Sequence, residues 1–162
     1  MIIPMVARLV RDAFDREGWL FELKWDGFRA IAEKDKLGVR LYSRNQNDFM
    51  KRFPTIAQAV KALDHVILDG EIVALDEHGH PRFVNRGPQE GTIVYYVFDL
   101  LRLGDKDLRS EPLSRRKSLL QKLLRKNDTL RYVDHITTEG LAMFGGAAGS
   151  NPLNSLLPTQ LL

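Results

Sequence analysis

Lys24 has the clearest chemical potential in this 162-residue chain, because it ends an apolar stretch and adjoins a tight turn. The surrounding run is Phe21-Glu22-Leu23-Lys24-Trp25-Asp26-Gly27-Phe28-Arg29. If the stretch is a buried strand, the lysine loses hydration, and burial favours the neutral amine over the ammonium. A neutral amine is a nucleophile, so a buried Lys24 could carry out covalent chemistry.

The neighbours of Lys24 allow two interpretations. If Trp25-Asp26-Gly27 reverses the chain, Arg29 lies on the returning strand, where a second cation also favours the neutral amine. Asp26 opposes that effect, and we expect it to be an acceptor that orients Lys24 or the turn. The same residues are typical of an ordinary hairpin with an exposed lysine and an Asp-Gly turn. On these residues alone, the ordinary hairpin is favoured.

The hydrophobic pattern predicts the elements that position these side chains. Residues 19–24, 28–33 and 37–43 read as three antiparallel strands that carry Lys24, Arg29 and Arg44. Further along, we expect a short helix over 55–63 after Pro54, a strand over 66–75, a buried central strand over 92–101, and a helix from an N-cap at Ser114 to about Arg125. The 66–75 strand places Asp69 and Glu71 on one face, where paired acids can bind Mg²⁺ or simply face solvent.

Composition limits the class of protein. The length fits one domain, and no apolar run reaches the roughly 18 residues of a membrane span. The chain has no cysteine, which excludes disulfides and thiol catalysis, and its first residues lack the features of a signal peptide. We therefore expect a cytoplasmic protein without a membrane partner.

The net charge of +3 hides a basic segment between residues 102 and 131. Its ten basic residues are Arg102, Lys106, Arg109, Arg115, Arg116, Lys117, Lys122, Arg125, Lys126 and Arg131, and its four acidic residues are Asp105, Asp107, Glu111 and Asp128. Such a segment suits a phosphate backbone. A solvated helix face gives the same pattern, and the sequence alone does not separate the two.

Four segments in order carry a resemblance to a known family. Lys24-Trp25-Asp26-Gly27-Phe28-Arg29 resembles the K-x-D-G-x-R motif of ATP-dependent DNA ligases, RNA ligases and capping enzymes. It is followed by residues 41–45 (LYSRN), 68–73 (LDGEIV) and 95–101 (YYVFDLL). The sequence resembles most closely the ligase domain of bacterial end-joining ligase D proteins, over roughly the first 145 residues.

The resemblance implies a role for each matching position. Lys24 would attack the α-phosphate of ATP and form lysyl-AMP, Glu22 would read the adenine amino edge, and Arg29 would hold the ribose. Arg44 would approach the ribose and the 5′-phosphate of nicked DNA, Glu71 would lie near the ribose and a Mg²⁺ ion, and Phe98 would stack on adenine. ATP and Mg²⁺ are the implied cofactors, and broken or nicked duplex DNA is the implied partner.

The implied fold is α+β, with antiparallel sheets and flanking helices, in an incomplete nucleotidyltransferase (ATP-grasp-like) arrangement. We expect a partial adenylation domain over residues 1–144 and an uncharged tail over 145–162 that is outside the family pattern or disordered. The later E-G-hydrophobic-hydrophobic-hydrophobic-K and K-x-K motifs and an OB-fold are not found, which suggests truncation. Other end-joining components, or a chain that supplies the OB-fold, are then expected partners.

Two alternatives stay open beside an active DNA ligase. The chain could be a non-catalytic ligase remnant that binds nucleotide or DNA. It could also be an RNA ligase or a capping-type nucleotidyltransferase, although the similarity of its sequence to ligase D disfavours these two classes.

Overall fold

The structure, a computed structural model, describes residues 2–5, 14–82, 91–142 and 155–160, the last segment as backbone only. The strands are β1 (Trp19–Lys24), β2 (Phe28–Asp35), β3 (Gly38–Ser43), β4 (Val66–Leu75), β5 (Pro81–Arg82), β6 (Thr92–Leu103), β7 (Lys106–Asp107), β8 (Leu130–Tyr132), β9 (His135–Ile136) and β10 (Ser155–Gln160). The helices are α1 (Pro54–Lys61) and α2 (Leu113–Leu123). The predicted α+β class with antiparallel sheets is confirmed.

The strands form two sheets. The larger has the order β3-β2-β4-β6-β7, with β5 beside β4 and β8 parallel to β6. The smaller has the order β10-β1-β9, and both of its pairings are antiparallel. The strand that ends in Lys24 and the strand that carries Arg29 therefore belong to different sheets.

The predicted hairpin between β1 and β2 is wrong. β2 pairs with β3 and β4, whereas β1 pairs with β9 and β10. Trp25-Asp26-Gly27 is a crossing from the small sheet to the large one. Local sequence could not reveal this, because the competing partners of β1 come from more than 100 residues further along the chain.

The main hydrophobic core lies between the large sheet and the two helices. Fully buried residues include Phe53, Ile56, Leu68, Tyr95 and Leu120. Pro54 occupies the first turn of α1, where its missing N–H costs no hydrogen bond. The Tyr95 hydroxyl donates to the Ala30 and Leu68 carbonyl oxygens at 2.8 and 3.2 Å, which ties β6 to the adjacent strand β4 and, beyond it, to β2.

Two details of the predicted elements differ from the structure. The N-cap of α2 is Pro112 rather than Ser114, which lies inside the first turn. Within the predicted tail, Ser155–Gln160 pairs along the whole of β1, while residues 145–154 and 161–162 lie outside the described residues. In the described part of the chain, no helix is long and apolar enough to cross a membrane.

Candidate active site

Lys24 lies at the carboxyl end of β1, at the edge of the crossing to the large sheet. Its side chain is 42% exposed, and Nζ lies 3.9 Å from Asp26 Oδ1. The expected burial of this lysine is therefore not found. The buried residues of β1 are Leu20, Phe21 and Glu22, and Lys24 ends the strand beyond them. Asp26 lies within ion-pair distance of the amine, where the expected acceptor would be.

Gly27 brings the crossing against the large sheet. A Cβ at this position would lie 2.2 Å from the Ile72 carbonyl oxygen, so only glycine fits. The Gly27 N–H donates to Glu71 Oε1 at 3.1 Å. The Asp-Gly pair in the motif thus allows a close backbone approach, which brings the end of β1 into contact with β4.

Arg29 connects the two acids of β4. Its Nε–H and Nη2–H donate to Asp69 Oδ1 and Oδ2 at 3.1 and 2.9 Å, and Arg29 is the direct register partner of Glu71. Asp69 and Glu71 lie on one face, as predicted, but Asp69 is occupied by the guanidinium. Since Asp69 neutralises Arg29, this arginine does not act on Lys24 as an uncompensated second cation.

Glu71 is a carboxyl group with altered acidity. Burial raises its pKa to about 7, against the opposing effects of the Gly27 N–H, Arg29 and Lys24. Lys24 is therefore close enough to act on Glu71 electrostatically. A carboxyl group with a pKa near 7 can gain or lose its proton near neutral pH when a ligand changes its surroundings.

Aromatic rings line the same face of the large sheet. The Arg29 guanidinium lies 5.2 Å from the centre of the Phe98 ring, and Phe98 packs with Tyr96 and Trp25. The Trp25 and Tyr96 rings stack at 3.7 Å between centres and 8° between planes. Phe98 is therefore beside Arg29, as the assigned roles require, and half-buried rather than in the core.

Glu22 forms an ion pair that the sequence did not predict. Its Oε1 contacts Lys117 Nζ from α2, and both side chains are almost inaccessible to solvent. Lys117 also donates to the Val133 carbonyl oxygen at 3.3 Å and lies over the Tyr132 ring. The sequence carries one signal of this burial, because Lys117 falls on the buried stripe of α2 with Leu113, Leu120 and Leu124.

A cavity of about 190 Å³ lies between the two sheets. It is lined by Leu23, Trp25, Tyr96, Tyr132, Val133, Asp134, His135 and Ile136. The Tyr132 hydroxyl and His135 Nδ1 are joined by a 2.7 Å hydrogen bond, and His135 is the cross-strand partner of Glu22. The cavity therefore adjoins the Glu22–Lys117 pair and has aromatic walls, as ligand pockets commonly do.

Arg44 is exposed in the turn after β3 and is not part of this cavity.

Among the cations of α2, Arg116 is mostly buried and binds both oxygens of Asp99 at 2.8 and 3.0 Å. Together with the buried Lys117, this removes two residues of the basic segment from the set that could contact a phosphate backbone. Lys122, Arg125 and Lys126 are exposed, and within the described residues no carboxylate lies within ion-pair distance of them.

The donor groups fit a magnesium ion that is held jointly with a phosphate ligand. In the part of the chain that the structure describes, no group of three or more His, Asp or Glu side chains could hold a metal. Mg²⁺ is commonly bound by one or two carboxylates together with substrate phosphates. Glu71 is the available carboxylate, since both oxygens of Asp69 are taken by Arg29.

Comparisons with known proteins agree with this arrangement. A family model described as an ATP dependent DNA ligase domain matches residues 4–144. The multifunctional non-homologous end joining protein LigD of Pseudomonas aeruginosa is 38% identical over 140 residues, which cover 81% of this chain and 16% of that protein. A DNA ligase-like protein, LigB, from the SPbeta prophage of Bacillus subtilis is 29% identical and covers 93% of this chain and 57% of its own length.

The fold comparison gives the same result. The ligase domain of M. tuberculosis LigD superposes with a TM-score of 0.73 at 31% identity, over 88% of this chain and 48% of that domain. A mycobacterial DNA ligase D complexed with ATP and MES gives the same values. The chain thus spans about half or less of most of these relatives. The matched segment and the shared fold show that the chain belongs to the ATP-dependent DNA ligase domain family.

Proposed function

We propose that this chain transfers AMP from ATP to Lys24, the first step of ATP-dependent DNA nick sealing. In this step a bond forms between Lys24 Nζ and the α-phosphorus, and the bond from that phosphorus to the bridging oxygen of pyrophosphate breaks. Pyrophosphate leaves with the electron pair, and the amine releases its proton to solvent. Such phosphoryl transfer depends chiefly on positioning and on neutralisation of charge.

The observation that carries the proposal is the meeting of four family positions at one place. Gly27 presses the end of the Lys24 strand onto β4, where Glu71, Arg29 and Phe98 occupy the same face. Phe98 offers a ring for the base, Arg29 a guanidinium for the sugar, and Glu71 a carboxylate beside the phosphates. Mg²⁺, held by Glu71 and phosphate oxygens, would supply further neutralisation of charge.

Glu22 is proposed to face the base edge from the neighbouring wall. It is two residues before Lys24 on β1 and therefore shares a strand face with it. A carboxylate accepts a hydrogen bond from an exocyclic amino group, so Glu22 suits adenine rather than a base with an oxygen at that position.

DNA is the proposed second substrate. The matched family supports a ligase. The exposed cations Lys122, in the last turn of α2, and Arg125 and Lys126, just after the helix, support contact with a phosphate backbone. Arg44 is proposed to meet the 5′-phosphate. End joining in the cytoplasm, with further components or an OB-fold from another chain, is proposed from the likeness to the LigD proteins.

A second candidate is a nucleotide-binding chain without transfer activity. It is favoured by one observation, the exposed Lys24 beside Asp26, with Arg29 already neutralised by Asp69. No feature of the described residues favours an RNA ligase or capping enzyme over a DNA ligase.

The experiment is covalent labelling. The folded protein is incubated with α-labelled ATP and Mg²⁺, denatured, and assayed for label on the polypeptide. We expect labelling of the wild type and of Lys61→Ala, which changes another lysine at the end of α1, and none of Lys24→Ala. Bound ATP without covalent label in the wild type would support the non-catalytic candidate instead.

A further inference from the structure

The buried ion pair between Glu22 and Lys117 lies outside the group of residues that act on phosphate. Lys117 is 1% exposed and Glu22 is 6% exposed. Lys117 comes from α2, which follows the large sheet in sequence, whereas Glu22 lies on β1 of the small sheet. The pair is therefore a polar link between the small sheet and α2, the helix that packs on β6 of the large sheet.

The surroundings of the pair fix the position of the Lys117 amine. Burial lowers the pKa of Lys117 to about 7 and Asp134 opposes that effect, while contact with the Glu22 carboxylate favours the ammonium form. Lys117 Nζ contacts Glu22 Oε1, donates to the Val133 carbonyl oxygen, and lies 5.1 Å from the centre of the Tyr132 ring. Tyr132 and Val133 line the cavity, and Glu22 is in register with His135, which also lines it. Lys117 thus contacts two lining residues, Tyr132 and Val133, and holds the Glu22 carboxylate next to a third, His135.

Replacing one of these buried charges would cost far more than the contact alone. A buried carboxylate without a cation takes up a proton, because the uncharged form is favoured in an apolar environment. The protonated group has an O–H donor that the carboxylate lacks. The partner on α2 therefore decides which hydrogen bonds Glu22 can make.

We propose that Lys117 is a positioning residue that sets base selectivity, by keeping Glu22 an acceptor-only carboxylate with one oxygen occupied and the other directed to the base. A 6-aminopurine donates to that oxygen. A 6-oxopurine presents an acceptor and is repelled. This inference rests on the proposed function, because it takes Glu22 to be the residue that meets the base.

The test compares ATP with inosine triphosphate, whose base carries oxygen in place of the 6-amino group. Dissociation constants for both nucleotides are measured by calorimetry on the wild type, Lys117→Met and Lys117→Arg. Lys61→Met, at an exposed lysine in the last turn of α1, is the control. Binding does not require covalent transfer, so the result does not depend on whether Lys24 is labelled.

We expect the wild type, Lys117→Arg and Lys61→Met to prefer ATP. In Lys117→Met this preference should fall at least about tenfold, the value of one hydrogen bond to a charged group. A folded Lys117→Met that keeps the wild-type ratio would overturn the proposal, as would a wild type that binds both nucleotides equally or neither.

If Lys117→Met does not fold, Glu22→Gln provides the second test, because its amide also offers a donor without a charge. It should lose preference for ATP to a similar degree. An unchanged ratio in Glu22→Gln would equally overturn the proposal. Failure of the labelling experiment with normal ATP selectivity would instead contradict only the transfer step.

Discussion

The Arg29 guanidinium holds both oxygens of the Asp69 carboxylate through two hydrogen bonds of 3.1 and 2.9 Å. The Asp69 side chain is 6% exposed, so this pair is an anchored part of the sheet and not a surface contact. Asp69 thereby aims Arg29 along the face that carries Glu71 and Phe98. Asp69 therefore supports the site by holding Arg29, while Glu71 is left to act on a ligand.

Arg29→Ala should destabilise the fold by about 3 kcal/mol, because it leaves Asp69 buried without its cation. Urea unfolding at neutral pH measures this loss. Arg82→Ala, at an exposed position in β5, is the control and should change stability by less than about 0.5 kcal/mol.

Adding Asp69→Asn to Arg29→Ala should recover part of the lost stability, since a neutral amide costs less to bury than a carboxylate. A double variant that is less stable than Arg29→Ala would show that the buried charge is not the source of the loss.

Gly27→Ala should be more damaging than its small size suggests. The new methyl group would lie 2.2 Å from the Ile72 carbonyl oxygen, so the crossing must move away from β4 and the bond to Glu71 must break. We expect a loss of at least about 2 kcal/mol, as for an overpacked core.

Gly79→Ala is the comparison for Gly27→Ala. Gly79 has a φ of +80° and no atom within 4 Å of the added Cβ, so this change introduces backbone strain without a clash. It should cost about 1 kcal/mol. Equal thermal stabilities of the two variants would contradict the close approach at Gly27.

Glu71 makes stability depend on pH in an unusual direction for a carboxyl group. Its pKa is raised from 4.5 to about 7, so the folded protein keeps a proton that the unfolded chain releases. The stability from this group is fully present below about pH 4.5 and is lost as the pH rises to 7, which amounts to about 3 kcal/mol.

Glu71→Gln should remove this dependence. The difference in unfolding free energy between the wild type and the variant, measured from pH 4.5 to 8, isolates Glu71 from other groups that titrate, such as His135. We expect the unfolding free energy of Glu71→Gln to increase relative to that of the wild type as the pH rises. A difference that is constant with pH would show that Glu71 is not a buried acid of raised pKa.

The sequence predicted most of the elements, because their patterns are local. The strand over 66–75 and the early strands are found within a few residues of their expected bounds, and the family segments identified the fold class. The pairing of β1 with β9 and β10 depends on contacts far apart in the chain, so the local Asp-Gly signal gave a false hairpin. The burial of Lys117 does not follow from the composition of α2, because composition gives the charge of this residue but not the partner that buries it.

The exposed cations at the end of α2 and just after it form a testable DNA surface. Replacing Lys122, Arg125 and Lys126 together by alanine should weaken duplex binding and reduce the slope of log affinity against log salt by up to about 2.7, if each cation neutralises one phosphate. Arg109→Ala is the control, since Arg109 already pairs with Asp107. An unchanged slope in the triple variant would place DNA elsewhere on the chain.

The central claim is that Lys24 receives AMP, and peptide mapping after reaction with ATP and Mg²⁺ tests it most directly. The wild-type protein is digested, and the modified lysine is identified by mass spectrometry. The account predicts that AMP is found on the peptide that contains Lys24 and that the modification disappears when Lys24 is replaced by alanine. AMP on a different lysine, or a folded protein that binds ATP and carries no AMP at all, would contradict it.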